Sequence, residues 1–165
     1  MYLTYRGACM PETTGLVQSL VRKYGARREN ILPILQDIVE KNHYLTEKSM
    51  RELAKALDIS AAEVYGTASF YSFLDTQPRG ENVIRICKTI TCYMKGKDDI
   101  IKAIEERLNI KLGETTSDGK FSFLAANCIG WCHEGPAMLI NNKVYTKLTP
   151  KKVVQIINEY YDNGR

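Results

Sequence analysis

Four of the chain's five cysteines form two close pairs, Cys87-x4-Cys92 and Cys128-x3-Cys132, with 35 residues between the pairs. Each pair follows a short run with strand character. NVIRIC (82–87) alternates and is β-branched, and FSFLAAN (121–127) runs straight into Cys128. If those two strands are neighbours in one sheet, both loops emerge at the same edge and four thiols converge there.

The chain has 165 residues, room for one domain or two small ones. Its texture changes midway. Gly15 to Tyr24 is a short amphipathic stretch, and 28–41 places Ile31, Ile34, Leu35, Ile38 and Val39 on one helical face, with Pro33 early enough to be tolerated. Thr46 is a candidate cap for a third helix carrying Met50, Leu53, Ala54 and Leu57. Ser60 to Glu63 matches a capping box and opens a fourth helix, expected to run to Leu74, with Gly66 inside it as a mark of close packing. The polar stretch DTQPRGEN (75–82) reads as a boundary.

Beyond it the spacing predicts strand 82–87, helix 98–108, strand 121–127, a hairpin of 137–141 and 143–145 around Asn141-Asn142, and a last helix opened by Thr149-Pro150 and running through Tyr161. The expected class is α+β: a helical bundle over residues 1–78 and a thioredoxin-like layer over 79–165, with helices packed on a mixed sheet.

Charge and targeting signals narrow the function. Formal charge is +4, from 23 Lys+Arg against 19 Asp+Glu, too mild to imply a nucleic-acid partner. No apolar run approaches the ~20 residues that span a bilayer, so no direct membrane insertion is expected. MYLTYRGACMPETTG lacks the apolar core of a secretory signal, so the expected location is cytoplasmic. Disulfides are rare there, and paired cysteines more often hold metal.

Thiolate sulfur is soft and suits zinc or an iron–sulfur cluster, not magnesium or calcium. Three readings stay open on spacing alone: a [2Fe–2S] cluster on four thiolates, an all-cysteine structural zinc site, or two disulfides. Ile129, Gly130, Trp131, Pro136 and Met138 are expected to form an apolar lid, with Gly130 allowing close backbone approach. That lid favours the cluster, as does the absence of two-residue spacing, which zinc ribbons more often show.

The chain from about Asn30 to Tyr160 resembles the small [2Fe–2S] subunit of NADH-oxidising flavoprotein complexes. The resemblance rests on EVYGTASFYSF (63–73), PRGENVIRIC (78–87), LGETTSDGKFSF (112–123), NCIGWCHEGPAM (127–138) and the C-x4-C-x35-C-x3-C framework. It implies that Cys87, Cys92, Cys128 and Cys132 ligate one [2Fe–2S] cluster, and that a helical N-terminal bundle precedes a thioredoxin-like [2Fe–2S] ferredoxin domain. It further implies that FMN and NAD(H) belong to a large flavoprotein partner, which the helical half docks, and that further iron–sulfur or hydrogenase subunits complete the complex.

The expected function is therefore electron transfer without activity of its own. The leading context is a soluble bacterial NAD-linked, electron-bifurcating hydrogenase. Respiratory complex I (NADH:quinone oxidoreductase) and NAD-dependent formate dehydrogenase are the alternatives within the class, and a zinc-stabilised structural adaptor is the alternative outside it. The chain departs from many members at Lys88-Thr89-Ile90-Thr91, where they have Gly-Thr, and at Trp131, which is more often small.

Other features have plainer readings. Residues 51–65 also resemble a helix-turn-helix, but 61–74 offers one charge, Glu63, and no Arg, Lys, Asn or Gln for base edges, so no nucleic acid is expected. Trp131 is read as a packing cap or, slightly favoured, an exposed anchor for a larger subunit. His133 is read as lying beside the site or on the surface, His43 at a helix end, and Cys9 as a free thiol.

Overall fold

The computed structural model describes residues 13–162, so Cys9 lies outside the described residues. They divide into two compact units that meet in sequence between Arg79 and Gly80.

The first unit is helical: α1 (Thr13–Tyr24), a 3-10 turn (Arg28–Asn30), α2 (Ile31–Asn42), α3 (Glu47–Leu57) and α4 (Ala61–Phe70). Its core takes the apolar stripe of each helix, with Val17 and Leu20 from α1, Ile34, Leu35 and Ile38 from α2, Leu53 and Leu57 from α3, and Val64 and Ala68 from α4. Burial of such side chains stabilises by roughly 1.5–3 kcal/mol each. The ends are set locally. The Thr46 hydroxyl accepts from the Ser49 N–H at 3.0 Å and the Ser60 hydroxyl from the Glu63 N–H at 3.1 Å. His43 and Asp58 stop α2 and α3 in left-handed backbone at φ 64° and 53°.

Three expectations change in this unit. The second helix starts at Ile31, because 28–30 is a 3-10 turn. The capping box is half made, since the Glu63 carboxylate pairs with Arg28. The fourth helix stops at Phe70, four residues early. The hydroxyls of Thr67 and Ser69 bond back to the carbonyls of Glu63 and Gly66, and Tyr71 turns extended. Gly66 marks no close packing, because a Cβ there would meet nothing within 4 Å.

The second unit is a mixed sheet with helices. Its order is β1 (Asn82–Cys87), α5 (Ile90–Met94), α6 (Lys97–Leu108), β2 (Phe121–Ala126), β3 (Met138–Ile140), β4 (Lys143–Tyr145) and α7 (Pro150–Asp162). The strands lie in the order β2-β1-β3-β4, with β1 and β2 parallel and the other pairs antiparallel. Ile100, Ile104 and Leu108 of α6 and Val153, Ile156 and Ile157 of α7 pack with Ile84, Ile86, Phe121, Phe123, Met138 and Ile140 of the sheet. Asn141, at φ 51°, turns the β3–β4 hairpin, and its side-chain oxygen accepts from the Val83 N–H at 2.8 Å. The class is α+β, as expected.

Entry into β1 is tight. A Cβ on Gly80 would lie 2.8–2.9 Å from the backbone of Gly119 and Phe121, and the Gly80 N–H donates to the Ser122 hydroxyl at 2.7 Å. Only glycine lets the start of β1 lie this close to β2.

Candidate metal centre

The parallel pairing of β1 and β2 decides where the thiols go. Cys87 stands opposite Ala126 in the register, and the Lys88 N–H still donates to the Ala126 carbonyl at 2.9 Å. Both chains therefore leave the sheet at the same edge, as the sequence required. On the other side the Cys87 N–H donates to the Ala137 carbonyl at 3.2 Å.

Cys92 is not in a loop, as the sequence suggested, but inside the short helix α5, and it is buried like Cys87. Thr89 is the residue before that helix, yet its hydroxyl does not cap it. The hydroxyl instead lies 3.1 Å from Cys87 Sγ. Gly96, in left-handed backbone at φ 85°, separates α5 from α6. Cys128 is exposed two residues past β2, and half-buried Cys132 opens a 3-10 turn, Cys132–Glu134.

The sulfurs come as two pairs. Cys128 Sγ and Cys132 Sγ are 3.1 Å apart, and the Gly130 N–H points at Cys128 Sγ at 3.4 Å. Cys87 and Cys92 lie within hydrogen-bonding reach of each other. Burial opposes ionisation of Cys87, but the Thr89 hydroxyl and N–H, Cys92 and the Ile129 N–H together outweigh it and hold this thiol below its ordinary range. Burial pushes the Cys92 thiol up, against an N–H from Ala137, with the charges on Cys87 and Cys128 adding to the rise. The bond with Cys128, then burial, then the charges on Cys128, Cys87 and Cys92 push Cys132 up. The sulfurs are thus close enough for charge on one to oppose charge on another, and a bound cation would relieve that opposition.

The lid is looser than expected. Pro136 and Met138 are buried, Met138 as part of the sheet core, while Ile129 is half-buried. Trp131 is 40% exposed and stacks on His133, with ring centroids 5.7 Å apart, so it leaves Cys128 open to solvent. Gly130 is needed for its φ of 89°, not for close approach, since a Cβ there would meet open space.

The sequence marked Thr89 only as part of a departure from the family pattern, and gave no role to Gly135 or to Lys95, whose ammonium bonds the carbonyls of Cys132 and His133 at 3.0 Å each. A Cβ on Gly135 would lie 3.2 Å from Cys92 Sγ, so glycine makes room for that sulfur. The signal for Thr89 and Lys95 was weak: a threonine and a Lys-Gly pair bracketing 90–94, the marks of a short helix.

A mononuclear zinc site asks four sulfurs to lie about 2.3 Å from one point. Two pairs of soft donors, with backbone N–H groups aimed at the sulfurs, suit a two-iron group as well as a zinc ion.

Comparison with known proteins favours the two-iron group. The family model for the thioredoxin-like [2Fe-2S] ferredoxin matches residues 17–161. A subunit of the NADH-quinone oxidoreductase of Escherichia coli (strain K12) is 33% identical over 144 residues, 87% of this chain and 87% of its own. Its counterpart in Buchnera aphidicola subsp. Acyrthosiphon pisum (strain APS) is 32% identical over 149 residues, 90% of this chain and 92% of its own. In solved structures, an NAD+-reducing [NiFe]-hydrogenase in its air-oxidised state shares the fold with a TM-score of 0.73 at 21% identity. That match covers 81% of this chain and 23% of the hydrogenase polypeptide.

Proposed function

This chain belongs to the thioredoxin-like [2Fe–2S] ferredoxin family, and we propose that it is the electron-carrying subunit of an NAD(H)-linked oxidoreductase complex, with Cys87, Cys92, Cys128 and Cys132 as the ligands of one cluster. The observation that carries the reading is the parallel β1–β2 pair, which delivers two close thiol pairs to one edge of the sheet. When bound, the cluster supplies one-electron chemistry. The protein's residues hold it and set its surroundings. Cys87 and Cys92 provide the buried half and Cys128 and Cys132 the open half. The N–H groups of Thr89, Ile129 and Gly130 soften the charge on the sulfurs.

Hydride chemistry on NAD(H) and FMN belongs, in this reading, to a large flavoprotein partner. The relatives named as NADH-quinone oxidoreductase subunits match nearly end to end, which favours a quinone-reducing complex. A hydrogen-linked, bifurcating complex, the leading expectation from the motifs, is the second reading. The hydrogenase likeness, at 21% identity, supports the fold alone. Residues 1–78 are the proposed docking part, and exposed Tyr65 and Phe70 on α4 are the kind of side chain that interfaces take up. Among the described residues no helix is long and apolar enough to cross a membrane. A cytoplasmic location belongs to the proposal on the strength of the paired cysteines, which more often hold metal than form disulfides there.

Anaerobic purification, followed by assay of iron, acid-labile sulfide and zinc and by EPR before and after dithionite, tests the proposal. About two irons and two sulfides per chain, with a spin-half signal on reduction, is the expected result. One zinc, no sulfide and no signal after attempted reconstitution would leave a structural adaptor. Co-purification with the tagged chain is expected to bring down an NADH-oxidising flavoprotein.

A further inference from the structure

The two cysteine-bearing segments are tied together by a side chain that is not a ligand. Lys95 is the residue after α5, and its N–H closes that helix on the Cys92 carbonyl at 3.2 Å. Its side chain crosses to the other segment. There Nζ donates to the carbonyls of Cys132 and His133, both at 3.0 Å. Those carbonyls belong to the 3-10 turn Cys132–Glu134, and the third carbonyl of the turn, that of Glu134, accepts the Lys147 N–H at 2.7 Å. The turn has no internal partners for the carbonyls at its end, so outside donors must supply them. Lys95 supplies two of three.

Gly135 marks the point of closest approach. A Cβ there would lie 3.2 Å from Cys92 Sγ, 3.4 Å from Lys95 Cδ and 3.7 Å from the Cys132 carbonyl. The aliphatic stem of Lys95 and the Cys92 sulfur therefore share one small space above the backbone of the second segment. Both hydrogen-bond acceptors are neutral carbonyls, which leave the unit charge of the ammonium uncancelled.

On the reading that four thiolates here hold a [2Fe–2S] cluster, we infer that Lys95 is a positioning residue with two effects. It fixes Cys132 relative to Cys92, so that the open half of the site keeps its shape. It also holds a positive charge beside a group that gains one electron, and so favours the reduced state. One electron enters, no bond forms or breaks, and no proton is required. Lys95 is exposed, so water screens part of its charge, and what remains acts because the cluster's potential follows the net charge around it.

Three variants separate the two effects. Lys95→Arg keeps the charge and the donors, Lys95→Gln keeps a donor without charge, and Lys95→Met keeps neither. Thermal unfolding of each variant first establishes that it folds.

In the metal-free chain, labelling of Cys132 by a thiol reagent is expected to speed up about tenfold in Lys95→Met, less in Lys95→Gln, and little in Lys95→Arg. In the reconstituted chain, EPR-monitored redox titration is expected to show Lys95→Met and Lys95→Gln both harder to reduce, and Lys95→Arg near the parent. A shift of about threefold in the equilibrium is the expected size, since solvent screens an exposed ammonium. Unchanged labelling in Lys95→Met overturns the clamp, and an unchanged midpoint in Lys95→Met and Lys95→Gln overturns the charge effect. A parent chain that takes up no iron and sulfide overturns the cluster reading and the charge effect with it, while the labelling rates still decide the clamp.

Discussion

The buried thiol pair and the open pair are held by different kinds of backbone. Cys87 and Cys92 belong to regular elements, the end of β1 and the body of α5, and each is 1% exposed. Cys128 and Cys132 flank an irregular loop with Gly130 at φ 89° and a short 3-10 turn. A strand or helix satisfies its own N–H and C=O groups, so it can carry a sulfur into the interior. An irregular loop cannot, and it stays at the surface unless side chains such as Lys95 supply the missing donors. Solvent therefore reaches one half of the site and not the other.

The sharpest test of that asymmetry is chemical labelling of the metal-free chain. Cys128 is expected to react at close to the rate of a free thiol, while Cys87 and Cys92 wait for the sheet to open, about a thousandfold slower. Mass spectrometry of the labelled peptides over time reads the ratio, and equal rates for all four would break the comparison.

Gly80→Ala comes next, because it strikes what the two pairs have in common. The added methyl meets backbone at 2.8–2.9 Å, so the start of β1 must move away from β2. The expected cost is about 1–3 kcal/mol in denaturant unfolding. Labelling of the buried pair should accelerate in proportion while that of Cys128 stays the same. An undisturbed Gly80→Ala chain would mean that this strand contact does not hold the two loops together.

Much of the site was legible before the structure. The two strands, α6 and α7 announce themselves by period, and parallel neighbours joined through helices put both loops at one edge. What escaped had physical reasons. α5 is five residues long, too short for a helical period to register. Trp131 is apolar but sits on a loop whose backbone turns it outward, so composition suggested a lid that the geometry does not close. Lys95 meets its acceptors 37 and 38 positions away, and no local pattern encodes such a contact. Gly80 is one of 11 glycines, and only the nearness of Phe121 distinguishes it.

Ligand replacement sharpens the comparison at the metal itself. Cys92→Ser puts a poor, hard ligand where no solvent reaches, and the iron retained after reconstitution is expected to fall at least about tenfold. Cys128→Ser acts where water can occupy the lost position, and a fall of about threefold is expected. Metal analysis of the two variants side by side decides it. Equal losses would show that exposure does not govern how each half keeps its iron.

The smallest effect expected is that of Thr89→Val in the metal-free chain, and it depends on pH. The Thr89 hydroxyl is the largest of the influences that depress the Cys87 thiol, and without it burial gains ground and the pKa rises. A group depressed on folding contributes stability that is present above its unfolded value, about 8.5 for a thiol, and lost as pH falls through the folded value. Below the folded value the thiol is protonated in both states, so the variant loses only a neutral hydrogen bond, about 1 kcal/mol or less. Above the ordinary thiol range it loses the support of the thiolate as well, and the gap to the parent should widen. Unfolding midpoints of parent and variant from pH 6 to pH 10 read the difference. A gap that stays constant across that range would mean the hydroxyl packs against the sulfur without stabilising its charge.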